Sequence, residues 1–167
     1  AYPAAFFGAV RAGLVPLLIN TLTTPELLQF YLSDAGAQVA VTDAEFCSRF
    51  NAEACKDTPL RTLIVVNGAA GGHAVAETRD AGEWLQGFRS ELDAADTHRN
   101  DMAFWMYSSG STGRPKGIVH LQHDMAYSEL AFARNVLKLT PDDICFSVPK
   151  IFFAYGFGNP VTFPFSA

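Results

Sequence analysis

The stretch Tyr107-Ser-Ser-Gly-Ser-Thr-Gly-Arg-Pro-Lys-Gly-Ile-Val-His120, "YSSGSTGRPKGIVH", decides how the rest of this chain is read. From Tyr107 to Gly117 it holds three glycines, three serines, a threonine and a lysine, and no acidic residue, in a chain with 17 acidic and 12 basic side chains. Such a run suits an anion. Glycines let the backbone approach a ligand closely, and amide and hydroxyl groups donate to phosphate-type oxygens. Lys116 adds a point charge.

The order of residues excludes a Walker loop, in which lysine directly follows the second glycine and the loop opens a helix. Here Pro115 has no backbone donor and holds the residue before it away from helical conformation, so the loop stays extended. A flexible Gly/Ser hairpin tip is the competing reading of a GSTG tetrapeptide. The longer ordered string, preceded by the apolar "DMAFWMY" and followed by "IVH", favours a site. Candidate anion ligands are Ser108, Ser109, Gly110, Ser111, Thr112, Gly113 and Lys116, with Lys116 and Thr112 first. Arg114 reads equally well as a phosphate contact or as a solvated side chain.

Outward from the loop, "DMAFWMYSSG" is expected to be a buried strand, and "HDMAYSELAFARNVLKL" a helix with Ala126, Leu130, Ala133 and Leu137 on its inner stripe. Upstream, "TPELLQFYLSDAG" has every helix signal: Thr24 as N-cap, Pro25 at the first position, Leu27, Leu28, Tyr31, Leu32 and Ala35 on one stripe, and Gly36 as the stop. The short apolar runs "VPLLIN", "QVAVT" and "RTLIVVN" predict strands buried on both faces, and their alternation with helices predicts an α/β fold with a mostly parallel sheet and flanking helices. Residues 68–82 predict a surface loop. "GEWLQGFRSELDAA" predicts a short helix with Trp84, Leu85, Phe88 and Leu92 turned inward.

Composition bounds the function. With 49% hydrophobic and only 17% charged residues the chain wants a large interior. A net charge of −5 argues against nucleic acid or an anionic membrane as partner. The absence of a transmembrane-length apolar run and of a basic leader predicts a cytoplasmic protein. Cys47, Cys55 and Cys145 have no metal or disulfide spacing and are expected to be buried thiols. His120 and His123, three apart, lack a third ligand candidate, so no metal site is expected.

"YSSGSTGRPKG" resembles the phosphate-binding signature of the adenylate-forming superfamily of acyl-CoA ligases, luciferases and adenylation domains, and residues 3–43 resemble the segment that precedes it there. That resemblance implies ATP, Mg2+ and coenzyme A as reactants, with the loop holding the leaving pyrophosphate. "PKIFFAYGFGNPVTFPF", Pro149 to Phe165, lies in a span carrying six of 14 phenylalanines, a density that by itself means core more often than pocket. It is similar to the aryl-binding segment of benzoate-CoA ligases and their hydroxybenzoate and aminobenzoate relatives. The resemblance implies that Ala154, Tyr155 and Gly156 bind substrate, a small aryl carboxylate, in a pathway of aromatic compound degradation. It also implies that residues 1–167 are part of a large N-terminal AMP-binding domain, with the enzyme's start and its C-terminal domain lying outside them. The ribose-binding aspartate and C-terminal lysine of the family are not in 1–167, so the piece alone is expected to be inactive. A fatty-acyl or amino-acid adenylating enzyme and a non-catalytic nucleotide-binding module are the alternatives, and a homo-oligomer is kept open.

Overall fold

The computed structural model describes residues 2–68, 77–109 and 113–166. In chain order its α-helices are α1 (Tyr2–Arg11), α2 (Pro25–Asp34), α3 (Ala81–Leu85), α4 (Asp124–Ser128), α5 (Ala154–Phe157) and α6 (Phe163–Ser166). The strands are β1 (Leu17–Leu18), β2 (Val39–Asp43), β3 (Thr62–Val66), β4 (Glu77–Asp80), β5 (Met102–Ser108) and β6 (Lys116–Leu121). They divide between two compact units, one formed by Thr21–Glu91 and the other by Tyr2–Asn20 with Leu92–Ala167. Among the described residues no helix is long and apolar enough to cross a membrane.

The Thr21–Glu91 unit holds an all-parallel sheet of order β2-β3-β4. On β3 alternate residues turn inward: Leu63 and Val65 are fully buried and pack with Cys47. Helix α2 forms as its sequence dictates. The Thr24 hydroxyl oxygen accepts from the Leu27 amide at 3.4 Å, Pro25 opens the helix, Leu28 and Leu32 are buried, and Gly36 takes φ +61 after the end.

Two expectations fail in this unit. Val39 and Val41 are 55% and 50% exposed rather than buried on both faces, so one face of β2, an edge strand, is uncovered by the described residues. The loop expected over 68–82 contains β4, whose polar Glu-Thr-Arg-Asp sequence carries no apolar signal because it too is an edge. Residues 69–76, including Gly71, Gly72 and His73, lie outside the described residues.

The helix expected over 82–95 is also shorter than its pattern: α3 ends at Leu85, and Leu85, Phe88 and Leu92 are exposed. In the other unit, the Arg11 guanidinium donates to the Leu92 carbonyl at 2.7 Å and the Ala95 amide donates to the Arg11 carbonyl at 2.9 Å. These bonds hold residues 92–95 in non-helical conformation, overriding local propensity. Gly13, at φ +74, lets Ala95 approach: an added Cβ would lie 2.8 Å from the Ala95 methyl.

In this second unit the sheet order is β1-β5-β6, with β1 parallel to β5 and β5 antiparallel to β6. Its core joins Phe6 of α1 to Ala103, Phe104 and Met106 of β5 and to Phe157 and Val161 near the chain's end. Phe6, Phe104 and Phe157 meet with ring centroids 4.6–5.5 Å apart. Burial in this cluster pushes the Tyr2 hydroxyl pKa up.

The helix expected over 123–139 is present but changes character: α4 passes into a π-helical stretch, Glu129–Leu137, which ends at Lys138 in the left-handed conformation. In that stretch, neighbours align at i and i+5. Arg134 therefore pairs with Glu129, five residues back, and Glu129 is buried. The expected stripe does not hold: Ala133 is buried while Leu130 and Leu137, in the π-helical stretch, and Ala126, before it in α4, are exposed. Burial pushes the Cys47 and Cys55 thiols up. Cys145 is exposed, against expectation, in an irregular segment where Ile144 and Phe146 are exposed too.

Candidate active site

The site begins with the hairpin. Strand β5 pairs with β6 in the register Ser108↔Lys116, Tyr107↔Gly117, Met106↔Ile118, Trp105↔Val119 and Phe104↔His120. Ser108 and Lys116, both expected in a loop, are thus the last rung of a ladder, and the connecting segment is 109–115. Within it Gly113 takes φ +88, a conformation that glycine adopts without strain. Gly110, Ser111 and Thr112 lie outside the described residues.

Directly opposed residues in an antiparallel pair share a face, and residues two apart along a strand share it as well. Phe104, Met106 and Ser108, with His120, Ile118 and Lys116 opposite them, therefore line one face. Trp105, Tyr107, Gly117 and Val119 line the other, where a Cβ on Gly117 would touch the Tyr107 and Trp105 rings at 3.5–3.6 Å. Lys116 is exposed and enters no ion pair among the described residues. Its charge is available to a ligand. Ser109 and Arg114 are exposed as well.

Against the Phe104 face lies a cavity of about 340 Å³. Phe104, Met106 and His120 come from the hairpin, Asp124, Met125 and Ser128 from the helical segment after it, and Ala154, Phe157, Thr162 and Phe163 from the chain's last turns. The hairpin thus carries one wall of an apolar cavity and, two rungs beyond Met106, the Ser108–Lys116 pair, about 7 Å further along at the usual strand rise.

Of the residues expected to bind an aryl group, Ala154 lines this cavity. Tyr155 is 70% exposed and outside the lining. Gly156 is buried, and an added Cβ would fall 2.0 Å from the Lys150 carbonyl oxygen, so its close approach is to the chain's own backbone.

A polar cluster that the sequence reading left unassigned stands in the cavity wall. The His120 ring lies flat on Phe104, with centroids 4.5 Å apart and planes 10° apart. Its Nδ1 is 3.3 Å from Asp124 Oδ2, an oxygen that also accepts from the Leu121 amide at 3.0 Å. His123 Nδ1 donates to the Arg99 carbonyl at 2.8 Å, and its Nε2 is 3.4 Å from Asp124 Oδ1. The signal available in sequence was an acidic residue, Asp124, at the first position of a helix and four places after His120. Among the described residues no group of three His, Cys, Asp or Glu side chains is placed to hold a metal ion.

The family described as AMP-binding enzyme matches this chain over residues 1–167, and the chain belongs to it. It is 39% identical over 98% of its length to the benzoate–CoA ligase of Thauera aromatica, and 38% identical over 98% to the 4-hydroxybenzoate–CoA/benzoate–CoA ligase of Rhodopseudomonas palustris. Among solved structures it is similar to the anthranilate CoA ligase AuaEII in complex with anthranoyl-AMP, with TM-score 0.85 and 32% identity over 96% of this chain. That likeness bears out the mixed, mostly parallel α/β fold. The chain spans 30%, 29% and 30% of those three proteins.

Proposed function

We propose that the protein to which these residues belong is an ATP-dependent, AMP-forming aryl-CoA ligase of the cytoplasm. It activates benzoate or a substituted benzoate as the acyl-adenylate and transfers the acyl group to coenzyme A. One observation carries this reading: a single hairpin face holds the wall of an apolar cavity and, two rungs on, a serine–lysine pair at the mouth of the Gly/Ser loop. Family membership and the names of the relatives support the same chemistry. A volume of about 340 Å³ is at the small end for ligand sites, which typically measure about 300–1,000 Å³.

In the first half-reaction a carboxylate oxygen attacks the α-phosphorus of ATP, the acyl–phosphate bond forms, and pyrophosphate leaves. Lys116 is assigned to the β- and γ-phosphates, with Ser108, Ser109, Gly110, Ser111, Thr112 and Gly113 donating around them. The work of this loop is positioning and neutralising charge as the leaving group departs. Thr112's part rests on the motif alone. In the second half-reaction the coenzyme A thiol loses its proton, attacks the acyl carbonyl and expels AMP. Ala154, which lines the cavity, is assigned to the aryl group; Tyr155, outside that lining, keeps its assignment from the resemblance alone. Magnesium bound with ATP would be carried largely by the nucleotide's own phosphates, its usual mode beside one or two carboxylates.

We place the adenine and ribose contacts in the parts of the protein beyond these 167 residues. The test is benzoate-dependent ATP–pyrophosphate exchange by the intact protein. Exchange with benzoate or its hydroxy or amino derivatives is the expected result; exchange only with acetate or long-chain acids would overturn the substrate class.

A further inference from the structure

The cavity wall contains several polar groups, and most have their hydrogen bonds already assigned. The Ser128 hydroxyl donates to the Met125 carbonyl at 3.0 Å, and the Thr162 hydroxyl to the Gly158 carbonyl at 3.5 Å. Both oxygens of Asp124 face protein groups, Oδ2 the Leu121 amide and His120 Nδ1, Oδ1 His123 Nε2. Tyr127 is 71% exposed, so its hydroxyl reaches solvent.

His120 is different. A carboxylate oxygen only accepts, so the proton between His120 and Asp124 sits on Nδ1, and the one-proton tautomer of that kind carries its lone pair on Nε2. No described residue hydrogen-bonds to Nε2, and His120 is one of the residues that line the cavity. Two further contacts fix it in place: the ring is stacked on Phe104, and Asp124 is itself held by the Leu121 amide. The result is a fixed imidazole on a residue that lines a cavity otherwise dominated by Phe104, Met106, Met125, Ala154, Phe157 and Phe163.

We propose that His120 Nε2 accepts a hydrogen bond from a hydroxyl or amino substituent on the substrate ring, so that the cavity is built for a hydroxy- or aminobenzoate in preference to benzoate itself. Asp124 is a positioning residue that fixes the tautomer and the ring's tilt. This rests on the aryl-CoA ligase reading and adds the ring substituent to it. The physical basis is asymmetric discrimination. A site that hydrogen-bonds a substrate donor penalises an analogue lacking it far more than a bare apolar pocket penalises an added group.

The test uses the intact protein and compares kcat/KM for adenylation across hydroxy-, amino-, methyl- and chlorobenzoates at each ring position, with benzoate as reference. At one position the hydroxy or amino acid is expected to exceed its methyl and chloro counterparts by about tenfold or more. His120→Phe, which keeps a flat ring on Phe104 but has no acceptor, should reduce that advantage by about tenfold, and Asp124→Asn should reduce it by less. Parity between donor and methyl analogues at every position in the unmodified protein overturns the proposal, whether or not the variants fold. So does an advantage that survives in a folded His120→Phe protein. Adenylation of fatty acids with none of any benzoate would instead bring down the aryl reading itself, and this proposal with it.

Discussion

Two three-stranded sheets of similar size serve different ends in this chain. In β2-β3-β4 every pairing is parallel, so each strand end leads into a crossover, and the chemistry-bearing side chains there are spent on structure. Asp43 and Asp80 illustrate this by accepting the Glu45 and Glu83 amides at helix starts. In β1-β5-β6 one pairing is antiparallel, and a hairpin needs no crossover. It therefore carries successive rungs of one face, aromatic, apolar and cationic in turn, within 18 residues of sequence. A contiguous site is easier to build on a hairpin face than across crossover connections, and the apolar wall and the lysine lie on that face.

If the first sheet is structural, its centre should dominate stability. Leu63→Ala, at a fully buried position on β3, should cost about 2–5 kcal/mol in equilibrium unfolding. A loss under about 1 kcal/mol would mean this sheet is not packed as described. The second sheet should respond through chemistry instead. Lys116→Ala in the intact protein should slow ATP–pyrophosphate exchange by about tenfold or more, the effect of a charge-assisted contact worth about 1.5–3 kcal/mol, with little change in melting temperature because the side chain is exposed. An unchanged rate would leave that lysine pointing at solvent.

Gly156→Ala distinguishes packing from binding within the second unit. A Cβ 2.0 Å from the Lys150 carbonyl must displace backbone, and a stability loss of about 1–3 kcal/mol is expected. Full stability with weaker substrate binding would return this glycine to the pocket. Val41→Thr, on the open face of an edge strand, should stay within about 0.5 kcal/mol.

The smallest expected effect is electrostatic. The Thr24 hydroxyl, together with the residue's own amide, holds the Glu26 carboxyl below the ordinary glutamate range. Its folded value is depressed, so its contribution is present above the unfolded pKa and is lost as pH falls through the folded one. An NMR titration of Glu26 with a midpoint at or above the peptide value would contradict this.

Legibility in the sequence followed the strength of local signals. Helix α2 was readable to the residue because cap, proline and terminal glycine all agree. Strand β4 was not, since an edge strand of Glu-Thr-Arg-Asp is defined by its hydrogen bonds to β3 rather than by burial. The run Tyr107–Gly117 stood out as a motif, but the motif did not place its ends: that Ser108 and Lys116 form the last pair of a hairpin follows from the pairing of β5 with β6. His120 was seen only as a metal candidate, because its partner Phe104 lies 16 residues away in sequence.

The π-helical stretch Glu129–Leu137 has one more consequence. Each residue there turns the chain through a smaller angle than in an α-helix, so over nine residues the azimuth of every later side chain lags. The segment works as a vernier. Removing a single residue from it would be a rotation more than a shortening, swinging Leu137 toward the bearing that an α-helix would give it. Length changes of one residue, disruptive in most helices, are here a means of re-aiming the chain beyond Leu137.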